Sequence, residues 1–171
     1  RNRIMAKAFA RQGRLEDAEQ SYRAALAARP GDAGVTGDLG TLLLAMGRYD
    51  EADALIEKAL ESDPENDRLL GAKGLRLFAE NRLDEAFSLF TQALDINFGN
   101  DTVLERLVDT ARALNRLPEI ADYLSRFVSF YPGNLDMACV YVECLLGRGD
   151  EDAARQQLDT ILTFVPDHPR A

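Results

Sequence analysis

The sequence predicts an all-α protein, an α-solenoid of tandem antiparallel helix pairs, and three observations carry that prediction. Counting back from Pro166 in steps of 34 residues lands on Pro132, Phe98, Pro64 and Pro30, so one supersecondary unit recurs five times. Counting back from Ala154 in the same way lands on Ile120, Ala86, Ala52 and Ala18, a column of mostly small residues. Within each row the apolar residues recur at helical spacing, and no alternating stretch reads as a strand. A fixed period of this size marks stacked repeats, whose long shared surface is where activity resides.

Each row opens with a first helix whose face reads small, then large. Ala6, Gly40, Gly74, Val108 and Val142 form one column, and Phe9, Leu43, Leu77, Ala111 and Leu145 follow three residues on. A turn column of Gly13, Gly47, Asn81, Asn115 and Gly149 suits the left-handed residue that ends a helix. The second helix begins before the alanine column and continues through Tyr22, Ile56, Phe90, Leu124 and Leu158, then Ala25, Ala59, Ala93, Phe127 and Ile161. That is the i, i+4, i+7 stripe of an amphipathic helix. Acidic pairs such as Asp50-Glu51 and Asp84-Glu85 sit where its dipole favours them, and Pro118 falls in the same first turn, where a missing N–H is harmless. The prolines closing four rows stop the second helix. The rows run 1–32, 33–66, 67–100, 101–134 and 135–168 of a single array spanning 1–171.

Composition narrows the function classes. With 46% hydrophobic and 29% charged residues the chain is an ordinary folded one, and no apolar run is long enough for direct membrane insertion. A net charge of −9 argues against nucleic acid, since phosphate binding needs clustered cations. Cys139 and Cys144 lie five apart on one helix and point in different directions, which makes a mutual disulfide poor and buried thiols the expectation. The chain opens on Arg1, so the compartment stays open between cytoplasm and periplasm.

The column of small residue, bulky residue, turn, Ala, aromatic or aliphatic, Ala and Pro at this period resembles the tetratricopeptide repeat. The closest rows carry Leu39-Gly40, Leu43, Gly47, Tyr49, Ala52, Ala59 and Pro64, and Phe9, Gly13, Ala18, Tyr22, Ala25 and Pro30. Phe98 in the proline column and Ile120, Phe127 and Ile161 in place of Ala depart from it. The resemblance implies a right-handed superhelix whose first helices line a concave groove, with Arg3, Lys7, Asp38, Thr41, Leu44, Arg68, Leu75, Phe78, Arg106, Asp109, Arg112 and Glu143 facing inward. It implies a non-catalytic scaffold for a peptide or protein partner, with no cofactor. Its alternatives are the recruiting region of a larger enzyme such as a glycosyltransferase, or an assembly component of bacterial envelope machinery for pili or polysaccharide export. Leu44, Leu75 and Phe78 have a second reading, as packing between adjacent first helices.

Some members clamp a chaperone's C-terminal carboxylate with Lys and Asn residues over three repeats. Here Arg3, Lys7 and Arg68 match in charge, but Asp38 stands where Asn is expected and would repel the carboxylate, and Ala72 replaces the last cation. Both ends read as cut, so the array is expected to continue in a longer chain; self-association through Ile161, Leu162, Phe164 and Val165 is the competing expectation. Enzyme chemistry finds no footing, because His168 is the only histidine and lacks nucleophile and metal partners. Glu16-Asp17, Asp84-Glu85 and Glu151-Asp152 recur as helix starts. Gly31, Gly34, Gly37 and Gly40 lack the strand and Lys-Ser/Thr of a phosphate loop. Arg148-Gly149-Asp150 occupies the inter-helix turn common to all rows.

Overall fold

The computed structural model describes residues 2–164 and is all-α. Five helix pairs follow one another among these residues. The pairs are α1 (Asn2–Arg11) with α2 (Leu15–Ala28), α3 (Ala33–Ala45) with α4 (Tyr49–Ser62), and α5 (Asp67–Ala79) with α6 (Leu83–Ile96). After them come α7 (Asp101–Ala113) with α8 (Ala121–Phe130), and α9 (Leu135–Arg148) with α10 (Glu151–Phe164). The chain divides into two compact units, Arg1–Asn97 and Phe98–Ala171.

All five turn-column residues adopt the left-handed conformation, with φ of 74° at Gly13 and Gly47, 60° at Asn81, 56° at Asn115 and 80° at Gly149. Gly and Asn tolerate this where branched residues do not, which is why the column admits only those two. Second helices end alike whether or not proline follows. Arg29, Asp63 and Tyr131 precede prolines and take φ of −141°, −143° and −125°, while Asn97 precedes Phe98 and takes −139°. Proline therefore reinforces a stop that the row already contains.

The fourth second helix departs from expectation. Pro118 lies in a 3-10 turn, Leu117–Ile120, and the α-helix proper begins at Ala121 with 10 residues instead of the 14 of α2, α4, α6 and α10. Short 3-10 segments are common at helix starts, and a residue without an N–H favours one. A second difference concerns Ile161, which was expected to be uncovered. It is 1% exposed and packs with Val128, Ala138 and Leu158 in the core of the second unit, so it cannot anchor self-association. Leu162 is half-buried, and the Phe164 side chain, Val165, Pro166 and His168 lie outside the described residues.

In the first unit the core joins Ala6, Ala18, Tyr22, Leu39, Leu43, Ala52, Ile56 and Ala72. Gly40 and Gly74 explain how the helices approach. A Cβ built on Gly40 would lie 2.7 Å from Ile56 Cγ1, and one on Gly74 would lie 2.6 Å from Phe90 Cε1. Both contacts are far inside van der Waals distance, so the bulky second-helix residues sit directly on bare first-helix backbone.

Candidate functional site

Eight of the twelve expected partner-facing residues belong to the first unit and sit on α1, α3 and α5. Their charged members converge on one carboxylate. Arg3 Nε donates to Asp38 Oδ2 at 2.8 Å, Lys7 Nζ lies 3.8 Å from Oδ1, and Arg68 Nη1 lies 3.5 Å from Oδ2. The close approach of α3 and α5 makes this possible, because a Cβ on Gly37 would lie 2.8 Å from the Arg68 carbonyl carbon. Arg68 Nη1 is itself buried and makes no hydrogen bond, so its tie to Asp38 is electrostatic.

The Asp38 side chain is only 13% exposed, and this decides its acidity. Burial raises its pKa; Lys7 and Arg3 pull down and Asp32 pushes up, and the balance stays above the ordinary carboxylate value. Desolvation thus outweighs the surrounding cations, a common outcome for covered ion pairs. Tyr22 of α2 belongs to the same neighbourhood, its phenol pushed up to about 12 by its own burial and then by the Asp38 charge. The acid expected to repel a ligand carboxylate is already held by the three cations. Thr41, Leu44, Leu75 and Phe78 are half-buried, and Leu44 packs against the core of the first unit, so these four are partly packing and partly surface.

The remaining four residues belong to the second unit, where charges pair locally. Arg106 Nη1 meets Asp109 Oδ2 at 2.9 Å one turn along α7, and Arg112 Nη2 meets Glu143 Oε2 at 2.6 Å, joining α7 to α9. All four side chains are 39–46% exposed, so each pair is worth about 0–1 kcal/mol.

Among the described residues no group of three or more His, Cys, Asp or Glu is placed to hold a metal ion, and no helix is long and apolar enough to cross a membrane. Cys139 and Cys144 are buried thiols outside any disulfide, and the Cys144 thiol donates to the Leu117 carbonyl at 3.1 Å. Arg148 donates to the Pro118 carbonyl at 2.7 Å and to Asp122 at 2.9 Å, which gives the Arg-Gly-Asp tripeptide a structural role.

With helix pairs, left-handed turns and small-residue contacts in place, the sequence comparison becomes decisive: the tetratricopeptide repeat family model matches residues 9–75. Residues 9–75 are thus tetratricopeptide repeats, and the helix pairs that follow them keep the same 34-residue period. Solved structures with the same fold include a crystal structure of MamA, 16% identical over 95% of this chain and 88% of that one, with a TM-score of 0.62. Pseudomonas aeruginosa PilF is 21% identical over 95% and 74%, at 0.69. YrrB, described as a TPR protein with an unusual peptide-binding site, is 21% identical over 99% and 87%, at 0.59. No protein of curated function matches the sequence significantly.

Two columns of this tetratricopeptide array escaped the sequence reading although both keep the repeat period. Asp32, Asn66, Asn100 and Asn134 cap the first helices, each side chain accepting backbone N–H groups at 3.0–3.3 Å. Arg14, Arg48, Arg82 and Arg116 open the second helices and pair with Asp17, Glu51, Glu85 and Glu119 three residues on. Arg48 also reaches Glu19, and Arg23 reaches both Glu19 and Glu51, which ties α2 to α4. The signal was Asp or Asn two residues after Pro or Phe, and Arg directly after the turn.

Proposed function

We propose that this tetratricopeptide protein is a non-catalytic scaffold that binds a peptide or protein segment on the face of its first helices, centred on the first unit. The observation that carries the reading is the cluster of Arg3, Lys7 and Arg68 around Asp38, beside half-exposed Thr41, Leu44, Leu75 and Phe78. Three cations against Asp38 and neighbouring Asp32 leave this spot net positive by about one charge in a chain of net charge −9, and half-exposed Leu and Phe supply an apolar anchor next to it. A positive spot with an apolar neighbour suits an acidic segment carrying one large hydrophobic residue. YrrB, of like fold, is described as having a peptide-binding site, which agrees with a binding role for such a face. Binding is expected to weaken only moderately with salt, because the apolar contact is indifferent to ionic strength.

The test is affinity capture from the source cell with the wild-type chain and an Arg68→Ala/Phe78→Ala variant, each checked by thermal melting. Proteins lost from the variant's capture support the reading, and an unchanged set clears this face of a role. Single Phe78→Ala and Leu75→Ala variants are expected to weaken capture more than they lower the melting temperature. Equal losses would make both residues core.

A further inference from the structure

The second unit carries a cleft of about 890 Å³ where α8 ends and α7 and α9 begin. Its lining includes Asp101, Phe127, Tyr131 and Asp136, and Gly99 and Gly133 leave it open. Tyr131 is 46% exposed and its ring tilts against that of Phe127 at a centroid distance of 4.7 Å. Among the described residues no lysine or arginine lines the cleft; nearby Arg126 lies over the Phe98 ring at 4.2 Å.

The charge of a fitting ligand follows from two opposed terms. The N-termini of α7 and α9 both reach the cleft, and each contributes roughly +0.5 of a charge, while the carboxylates of Asp101 and Asp136 contribute about −2 together. The acids win. The helix ends are moreover already capped, Asn100 accepting the Val103 amide at 3.2 Å and Asn134 the Met137 amide at 3.1 Å. Asp101 Oδ1 takes the Thr102 N–H at 2.8 Å, and Asp136 also has a partner within the protein, yet an ionised carboxylate offers several acceptor positions, so neither is exhausted. An anion would meet net negative charge, and a purely apolar group would strip water from two carboxylates without replacing it. A cation answers both features, since it pairs with the acids and is drawn to the face of Tyr131.

We propose that this cleft is a docking site that takes a lysine or arginine side chain from a basic segment of a partner protein. It shares no residue with the cluster around Asp38 and selects the opposite sign of charge.

The proposal is tested by titrating the isotope-labelled full chain with a synthetic Gly-Arg-Gly-Arg-Gly peptide, its Lys counterpart and its Glu counterpart, following backbone amide shifts. The Arg and Lys peptides should move the amides around Asp101, Tyr131 and Asp136, and the Glu peptide should not. Asp101→Asn/Asp136→Asn should weaken binding about tenfold at low salt. Tyr131→Ala, which keeps the main-chain hydrogen bond from the Asn134 N–H to the residue-131 carbonyl, should weaken it about three- to fivefold. Glu57→Gln/Glu61→Gln on α4 removes the same charge elsewhere and should leave binding unchanged. Equal weakening by both acid pairs would mean that the chain merely attracts cations, and shifts mapping elsewhere, or none, would overturn the proposal. If the double variant melts far below wild type, the Tyr131→Ala result decides.

Discussion

In the first unit the first helices shrink to glycine where the second helices are bulky, Gly40 under Ile56 and Gly74 under Phe90, whereas the second unit keeps buried valines, Val108 and Val142, in that column. The electrostatics differ in parallel. Cations from two first helices gather on a covered acid in the first unit, while the pairs Arg106–Asp109 and Arg112–Glu143 of the second are exposed. The family match, at residues 9–75, falls wholly within the first unit. The repeat therefore tolerates a redistribution of bulk between its helices so long as turn and caps persist, and bare backbone in one unit brings neighbouring first helices close enough to build a polar centre. At Gly37 and Arg68 one close backbone approach serves both the packing of α3 on α5 and the gathering of charge at Asp38.

The strongest way to break this comparison is to move the bulk. Gly74→Val places a branched side chain where a single Cβ would already lie 2.6 Å from Phe90, and Phe90, fully buried, has nowhere to go. The expected cost is about 3 kcal/mol, or roughly 6–12 °C in melting temperature for a domain of this size. In the opposite direction Val108→Ala in the second unit leaves a small void and should cost about 2 kcal/mol. Thermal melts of the two variants check this. An unchanged melt for Gly74→Val would mean that Phe90 does not press on α5 and that the contrast in bulk is without consequence.

Electrostatic variants sharpen the comparison at smaller scale. Because burial keeps the Asp38 pKa above its unfolded value of about 3.9, the protonated acid is the form the fold prefers, and the stability it brings is present at low pH and lost as pH rises through the folded value. Asp38→Asn removes that loss. Its melting temperature relative to wild type should improve between pH 4 and pH 7, whereas Glu143→Gln, in an exposed pair, should change stability by less than about 1 kcal/mol. The Tyr22 phenol gives an independent reading. It should titrate near pH 12 in absorbance at 295 nm, with stability falling as pH climbs from its unfolded value of about 10 towards 12, and Asp38→Asn should lower that midpoint by removing a nearby negative charge. A midpoint unmoved by the substitution would separate Tyr22 from the charged cluster.

The fold was legible because period, turn and stripe are one-dimensional signals: Asn81 and Asn115 announce left-handed turns as plainly as Gly13 does. The candidate site was legible only in membership. That Arg3, Lys7 and Arg68 meet at Asp38 depends on the backbone contact at Gly37, which in sequence is only one of four glycines spaced three apart. Asp38 read as a repulsive acid because its burial, which raises its pKa and couples it to Tyr22, is a property of three helices together. Ile161 read as uncovered from its place in the fifth row, yet α8 and α9 of its own unit supply the cover. The aromatic cleft was only partly legible, since Phe127, Asn134 and the pair Gly99 and Gly133 keep the 34-residue period while Tyr131 and Asp136 fall where rows are joined.

The smallest expected effect concerns the buried titratable group of the second unit. Cys144 is fully buried, donates to the carbonyl of Leu117 in the 3-10 turn, and has its thiol pushed up to about 11 by burial and then by Glu143. Reactivity follows the thiolate, so at pH 8 iodoacetamide should leave Cys144 unmodified in the folded chain over hours and label it at once in denaturant, as read by mass spectrometry. Since the neutral thiol is the favoured form, its share of stability is intact at neutral pH and fades only between about 8.5 and 11, in the same alkaline direction as Tyr22. Rapid labelling of the folded chain would mean that the turn at Pro118 opens readily. The second unit would then be the looser of the two at the very place where it abandons the regular second helix.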